Sequence, residues 1–128
     1  SESTLKSSEF FVQELSEAIK AQEIDQEIFK ITTRETNPSA VNPDIEVLYK
    51  NLWKARVEAA KFAIQKCTTQ FNFAEYEYRV TSLLLQKNAS TKKELIDLEA
   101  ALNTAKENLE RAKGLRQVAE VAVEAFKP

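Results

Sequence analysis

The chain has 128 residues, a formal net charge of −2, one Gly, three Pro, one Cys and no His. Without His there is no Ser-His-Asp or Cys-His chemistry, no HExxH zinc site and no Glu-x-x-His di-iron bundle. A single Gly excludes the Walker A and Rossmann loops, and the interspersed charges lack the basic face that nucleic acid requires.

Abundant Ala, Leu, Glu and Lys, with 30% charged residues, suit long helices, because these side chains lose little freedom on a helix. No run approaches the roughly 18 apolar residues of a membrane span. There is no signal peptide and no initiating Met, so the chain is expected to be a fragment of a longer protein or a processed chain. It is expected to be no enzyme, with no cofactor, no metal site and no nucleic-acid partner.

The first helix is expected over about residues 4–33. Its apolar positions are Leu5, Phe11, Leu15, Ala18/Ile19, Ile24, Ile28 and Ile31, mostly three or four apart. Gln13, Glu14, Glu17, Lys20 and Glu23 fall largely off that face. Residues 34–42 read as a loop, with turn dipeptides Asn37-Pro38 and Asn42-Pro43. Asn42 makes a suitable N-cap, followed by Pro43 at the first helical position and by Asp44 and Glu46.

The second helix spans about 43–87. Ile45, Leu48, Leu52, Ala55, Ala59 and Phe62 alternate by three and four as a heptad seam. The phase then slips and resumes as Ala63, Cys67, Phe71, Ala74 and Tyr78, a local stutter. Cys67 has no partner in the chain and sits on this stripe, which predicts a buried, inert thiol. Tyr49, Trp53, Phe73 and Tyr76 lie beside the seam and read as packing against the first helix or a neighbouring subunit.

Asn88-Ala89-Ser90 breaks the pattern. Ser90 or Thr91 caps a third helix over about 91–126, and Thr91 with Glu94 has the capping-box spacing. Leu95, Leu98, Leu102, Ala105, Leu109 and Ala112 form its seam, which shifts phase after Gly114 to Leu115, Ala119, Ala122 and Phe126. The short connection predicts that helices two and three run antiparallel. The expected fold is all-α: a long antiparallel coiled-coil hairpin with an additional N-terminal helix, three helices in a single domain over 1–128.

Arg79, Leu83 and Ser90 have the spacing R-x3-L-x6-S at the turn of this hairpin. That placement resembles the tip signature of periplasmic adaptor proteins, the membrane fusion proteins of type I secretion and tripartite efflux systems. Leu102-x2-Ala105-Lys106-Glu107-Asn108-Leu109-Glu110-Arg111 is similar to the return helix of the same family. The resemblance covers roughly residues 44–126, and the extra first helix is most like the haemolysin-secretion type. The family's hairpin is normally followed by an Ala-Pro stretch and a lipoyl-like β-domain, whereas here the pattern continues helical.

The resemblance implies an adaptor of the periplasm whose parent is anchored in the inner membrane. It implies a tip that docks through Arg79, Leu83 and Ser90 onto an outer-membrane channel protein. It also implies self-association into a ring through the hairpin sides, and an inner-membrane transporter engaged by parts not in this chain. Arg79 carries a fork of donors suited to a partner's carbonyls, Leu83 fits an apolar notch, and Ser90 can cap the third helix. The alternative is a coiled-coil scaffold whose aromatics bind a partner helix.

Overall fold

The computed structural model describes residues 2–34 and 43–126. Three α-helices make up the fold: α1 (Glu2–Arg34), α2 (Pro43–Gln86) and α3 (Lys92–Ala125), with no strand among the described residues. At 1.5 Å per residue they run about 50, 65 and 50 Å. The middle helix is the scaffold. Both α1 and α3 pack against α2, and α1 and α3 do not pack on each other.

The seam of α1 is not the most hydrophobic row that the sequence offers. Ser7, Phe10, Glu14, Glu17, Ala21, Ile24, Ile28 and Ile31, alternating by three and four, are its buried or half-buried positions among the described residues. The expected Phe11, Leu15 and Ile19 are exposed instead. Glu14 and Glu17, expected off the face, are half-buried on it. Glu14 is accommodated because the Lys66 ammonium of α2 donates to its carboxylate at 2.7 Å. The same ammonium stands 4.8 Å from the centre of the Phe11 ring, a cation–π contact that draws Phe11 to the edge of the seam.

The end of α1 runs through Thr32 and Thr33 to Arg34, since both hydroxyls donate back into the helix, to the carbonyls of Ile28 (3.0 Å) and Phe29 (2.8 Å). The expected loop after Arg34, with both Asn-Pro dipeptides and the Asn42 cap, lies outside the described residues.

The apolar positions of α2 form two rows, one for each neighbour. Leu48, Leu52 and Ala55 meet Ala21, Ile24 and Ile28 of α1. Ala63, Ile64, Cys67 and Phe71 meet Leu109 and Ala112 of α3. The phase slip expected after Phe62 falls between these two clusters, while both neighbours accompany α2 on either side of it, since Lys66 still reaches Glu14 of α1. Near the other end of α3, Tyr49 and Phe126 stack with centroids 6.1 Å apart and ring planes within 4°.

Along α3, a single heptad row runs from end to end: Leu95, Leu98, Leu102, Ala105, Leu109, Ala112, Arg116, Ala119, Val123 and Phe126 are buried or half-buried. Of the positions expected after Gly114, Ala119, Ala122 and Phe126 are buried or half-buried, and Leu115 alone departs. Leu115 is 61% exposed, and the seam position goes to Arg116. Arg116 is half-buried there, and its Nε donates to Glu120 at 2.8 Å. Gly114 supplies no close approach, because a Cβ there would meet nothing within 4 Å.

Candidate functional site

The turn between α2 and α3 is built from backbone hydrogen bonds that use up the loose carbonyls of α2. Ala89 N–H donates to Leu84 O at 2.8 Å and Asn88 N–H to Leu85 O at 3.0 Å, the paired bonds of a Schellman motif. That motif needs a left-handed residue at its hinge, and Asn88 takes φ 58° there. Asn tolerates this region better than other residues with a Cβ, which explains why the break falls at Asn88 without a glycine.

Helix α3 is then started by Thr91. Its backbone is extended (φ −118°, ψ 155°) and its hydroxyl accepts from Glu94 N–H at 3.1 Å. Of the two candidate caps the structure uses Thr91. The Ser90 hydroxyl instead donates to the Glu94 carboxylate. Glu94 thus joins the two residues, backbone to Thr91 and side chain to Ser90, so the turn is held from both sides.

Arg79 and Leu83 lie one turn apart on the same face of α2, both exposed. Arg79 is paired within its own helix to Glu75 at 2.9 Å, an exposed pair of the kind worth only about 0.3–0.5 kcal/mol. Leu83 is 54% exposed and Leu84 beside it 40%. The three candidate residues are engaged separately: Arg79 with Glu75, Ser90 with Glu94, and Leu83 with its side chain open to solvent. The tip also stands clear of α1. Thr4, Ser7 and Ser8 share a hollow with Thr69, Gln70 and Phe73, so α2 continues past the start of α1 and the turn is carried by α2 and α3 alone.

Leu84 and Ile96, the latter 63% exposed, were not among the sequence candidates. Ile96 had a signal, an apolar residue off the α3 heptad row. Leu84 had none, because Leu83-Leu84-Leu85 places an apolar residue on every side.

A second feature was invisible in the sequence. Since α1 and α3 flank α2 without touching, a groove of about 630 Å³ opens between them. Alanines of all three helices line it, with Leu115 and Val118 on the α3 wall and the polar Glu14, Gln22 and Asp25 on the α1 wall. Trp53 and Arg56 close one part of it, the guanidinium lying 4.5 Å from the indole ring centre.

Cys67 is buried between the two facing rows of α2 and α3, where desolvation pushes its thiol pKa up; Lys66 opposes this and Glu14 adds to it. The described residues hold no group of three His, Cys, Asp or Glu arranged for a metal ion. No helix among them is long and apolar enough to cross a membrane. Comparison with protein-family models, with curated proteins and with solved structures finds no match to this chain.

Proposed function

We propose that the chain is the α-helical domain of a periplasmic adaptor in a type I secretion or tripartite efflux system, with α2 and α3 as an antiparallel coiled-coil hairpin. Two pairings support the antiparallel course: Cys67 packs against Leu109 and Ala112, while Tyr49, earlier in α2, stacks on Phe126, later in α3. The hairpin docks by its tip onto an outer-membrane channel protein and associates with its copies through its sides. The inner-membrane transporter is met by parts of the parent protein outside this chain.

The observation that carries this reading is a rigid turn with its chemistry pointing outward. Asn88, Thr91 and Glu94 hold the turn without help from Arg79 or Leu83. Arg79 is bound only by an exposed pair to Glu75, and Leu83 is largely in solvent. The pair joins an arginine, a type enriched among residues that carry docking energy, to an exposed leucine. It presents bidentate donors to carbonyls and an apolar side chain for a pocket.

Arg79→Asp and Leu83→Ser, introduced into the parent protein in transporting cells, test this. Reversing the charge sets a carboxylate against partner carbonyls, and Leu83→Ser removes about 1–3 kcal/mol of apolar burial at the interface. Both variants lose transport while the chain melts within a few degrees of the parent by circular dichroism. Normal transport by both rejects docking, and a collapsed melt assigns the residues to folding instead.

A second reading, a coiled-coil scaffold that takes a partner helix through its aromatics, is favoured by the exposure of Phe73 and Tyr76. It predicts that Tyr76→Ser removes partner binding and that Arg79→Asp does not.

A further inference from the structure

We infer that the partner surface met by the turn is acidic, and that Lys87, Lys92 and Lys93 form a basic crown that steers the hairpin onto carboxylates of the channel protein. The inference rests on the tip docking in the proposed function and adds the chemistry of what the tip meets.

The crown is dense and uncompensated. Residues 87–93 carry three lysines and no carboxylate, in a chain whose formal net charge is −2, so the remaining residues stand at −5. All three lysines are exposed, and none has a carboxylate partner among the described residues. Glu94, next in sequence, is engaged by the Ser90 hydroxyl. Asp97, one turn beyond Lys93, makes no ion pair with it.

Helix electrostatics make two of these lysines costly. Lys87 directly follows the last residue of α2, where the negative end of a helix favours a cation. Lys92 and Lys93 open α3, where the positive end favours an anion and opposes a cation. The turn does not need them, since Asn88, Thr91 and Glu94 hold it. Lysines that oppose their own helix and join no ion pair within the chain break a local rule, as functional positions do.

Their position supplies the role. The turn leads the hairpin toward a partner, so its charges act before contact, over the ~8 Å screening length of physiological salt. Leu83 and Arg79 lie one and two turns behind Lys87, about 6 and 12 Å along α2. The lysines steer and orient the approach, while Arg79 and Leu83 make the close contact. A protein surface fits the crown better than a lipid surface does. Residues 87–93 contain no aromatic or large apolar side chain to enter a bilayer, and Leu83 and Leu84 stand behind the crown.

Charge substitution in the parent protein, in transporting cells, tests this. Lys87→Glu, Lys92→Glu and Lys93→Glu together lower transport by about tenfold or more, whereas the three changes to Arg keep it. Lys92→Glu alone raises the melting temperature of the chain while lowering transport, a pairing that loss of fold cannot produce. Selection for regained transport from the triple Glu variant recovers changes in the channel protein that replace Asp or Glu by Lys or by a neutral residue. Normal transport by the triple Glu variant overturns the inference, and so does loss in the triple Arg variant or a lowered melt for Lys92→Glu. Crown-dependent binding of the chain to phosphatidylglycerol vesicles also overturns it, by making the partner a membrane. Tip docking is read separately from Arg79→Asp. If that variant loses transport while the triple Glu variant keeps it, docking stands and the acidic partner falls; the reverse pattern removes Arg79 from docking and keeps the crown.

Discussion

Leu52→Ala is the substitution that most directly tests how α1 is held. Leu52 is 2% exposed and sits among Ala21, Ile28 and Ala55, where α1 and α2 meet. Truncation removes about three methylene equivalents, roughly 2.4 kcal/mol at ~0.8 kcal/mol each. Two of its neighbours are alanines and too short to fill the space, so a cavity remains. A void on the order of 40 Å³ adds about 1 kcal/mol at ~24 cal/mol per Å³. The expected loss is about 3 kcal/mol. Urea unfolding followed by far-ultraviolet circular dichroism measures it, with fluorescence of Trp53, the only tryptophan, as a local probe. Because α1 packs on α2 and not on α3, hydrogen exchange in α1 rises before exchange in α3. Leu5→Ala is the control, 61% exposed and expected to change stability by less than about 0.5 kcal/mol. A Leu52→Ala loss below about 1 kcal/mol, or equal to the control, refutes the assignment of this seam.

Three further outcomes follow from the same geometry. Gly114→Ala stabilises by about 0.8–1 kcal/mol in thermal melts, since it removes the helix penalty of glycine at a site where a Cβ meets nothing. At the turn, Asn88→Gly is neutral or slightly stabilising, whereas Asn88→Val loses about 1–2 kcal/mol because a β-branched residue must take φ 58°; Thr91→Ala loses about 1 kcal/mol as a cap. Cys67 reacts slowly with a thiol reagent when folded and fast in denaturant. Its raised pKa gives linkage of definite sign: the unfolded chain releases the proton first, so stability is constant below the ordinary thiol value of about 8.5 and falls as pH rises above it.

The three helices and the turn were legible because they rest on local chemistry. Near absence of Gly and Pro, the polar break at residues 88–90 and the Thr91-x-x-Glu94 spacing act within a few residues of where they are read. Burial of Cys67 was legible for a related reason, since Ala63 and Phe71 lie a turn away on the same row. Neighbour assignment was not local. On α1 the row of Leu5, Phe11, Leu15 and Ile19 is more apolar than the row that packs, and Glu14 enters the seam only because Lys66 waits across it. On α3 the pull of Leu115 suggested a phase shift, yet Arg116 completes the row. At the tip the positions of Arg79 and Leu83 were readable from spacing, but the division of labour between Ser90 and Thr91 depended on which hydroxyl points into the first turn.

These departures have one cause. Periodicity reports how many apolar rows a helix carries, and here every helix carries more than one. Among the described residues, alanine supplies five of the ten that are buried in the core: Ala21, Ala55, Ala60, Ala112 and Ala119. Small residues bring helices close but bury little area each, so the strongest apolar signals need not be in the core. Leu5, Val12 and Ile19 on α1, with Leu115, Val118 and Val121 on α3, are large apolar residues left outside. The seams with α2 mix alanine with larger residues, Phe10, Ile24 and Ile28 on α1 and Leu102 and Leu109 on α3, so burial follows which neighbour a row faces and not how apolar the row is.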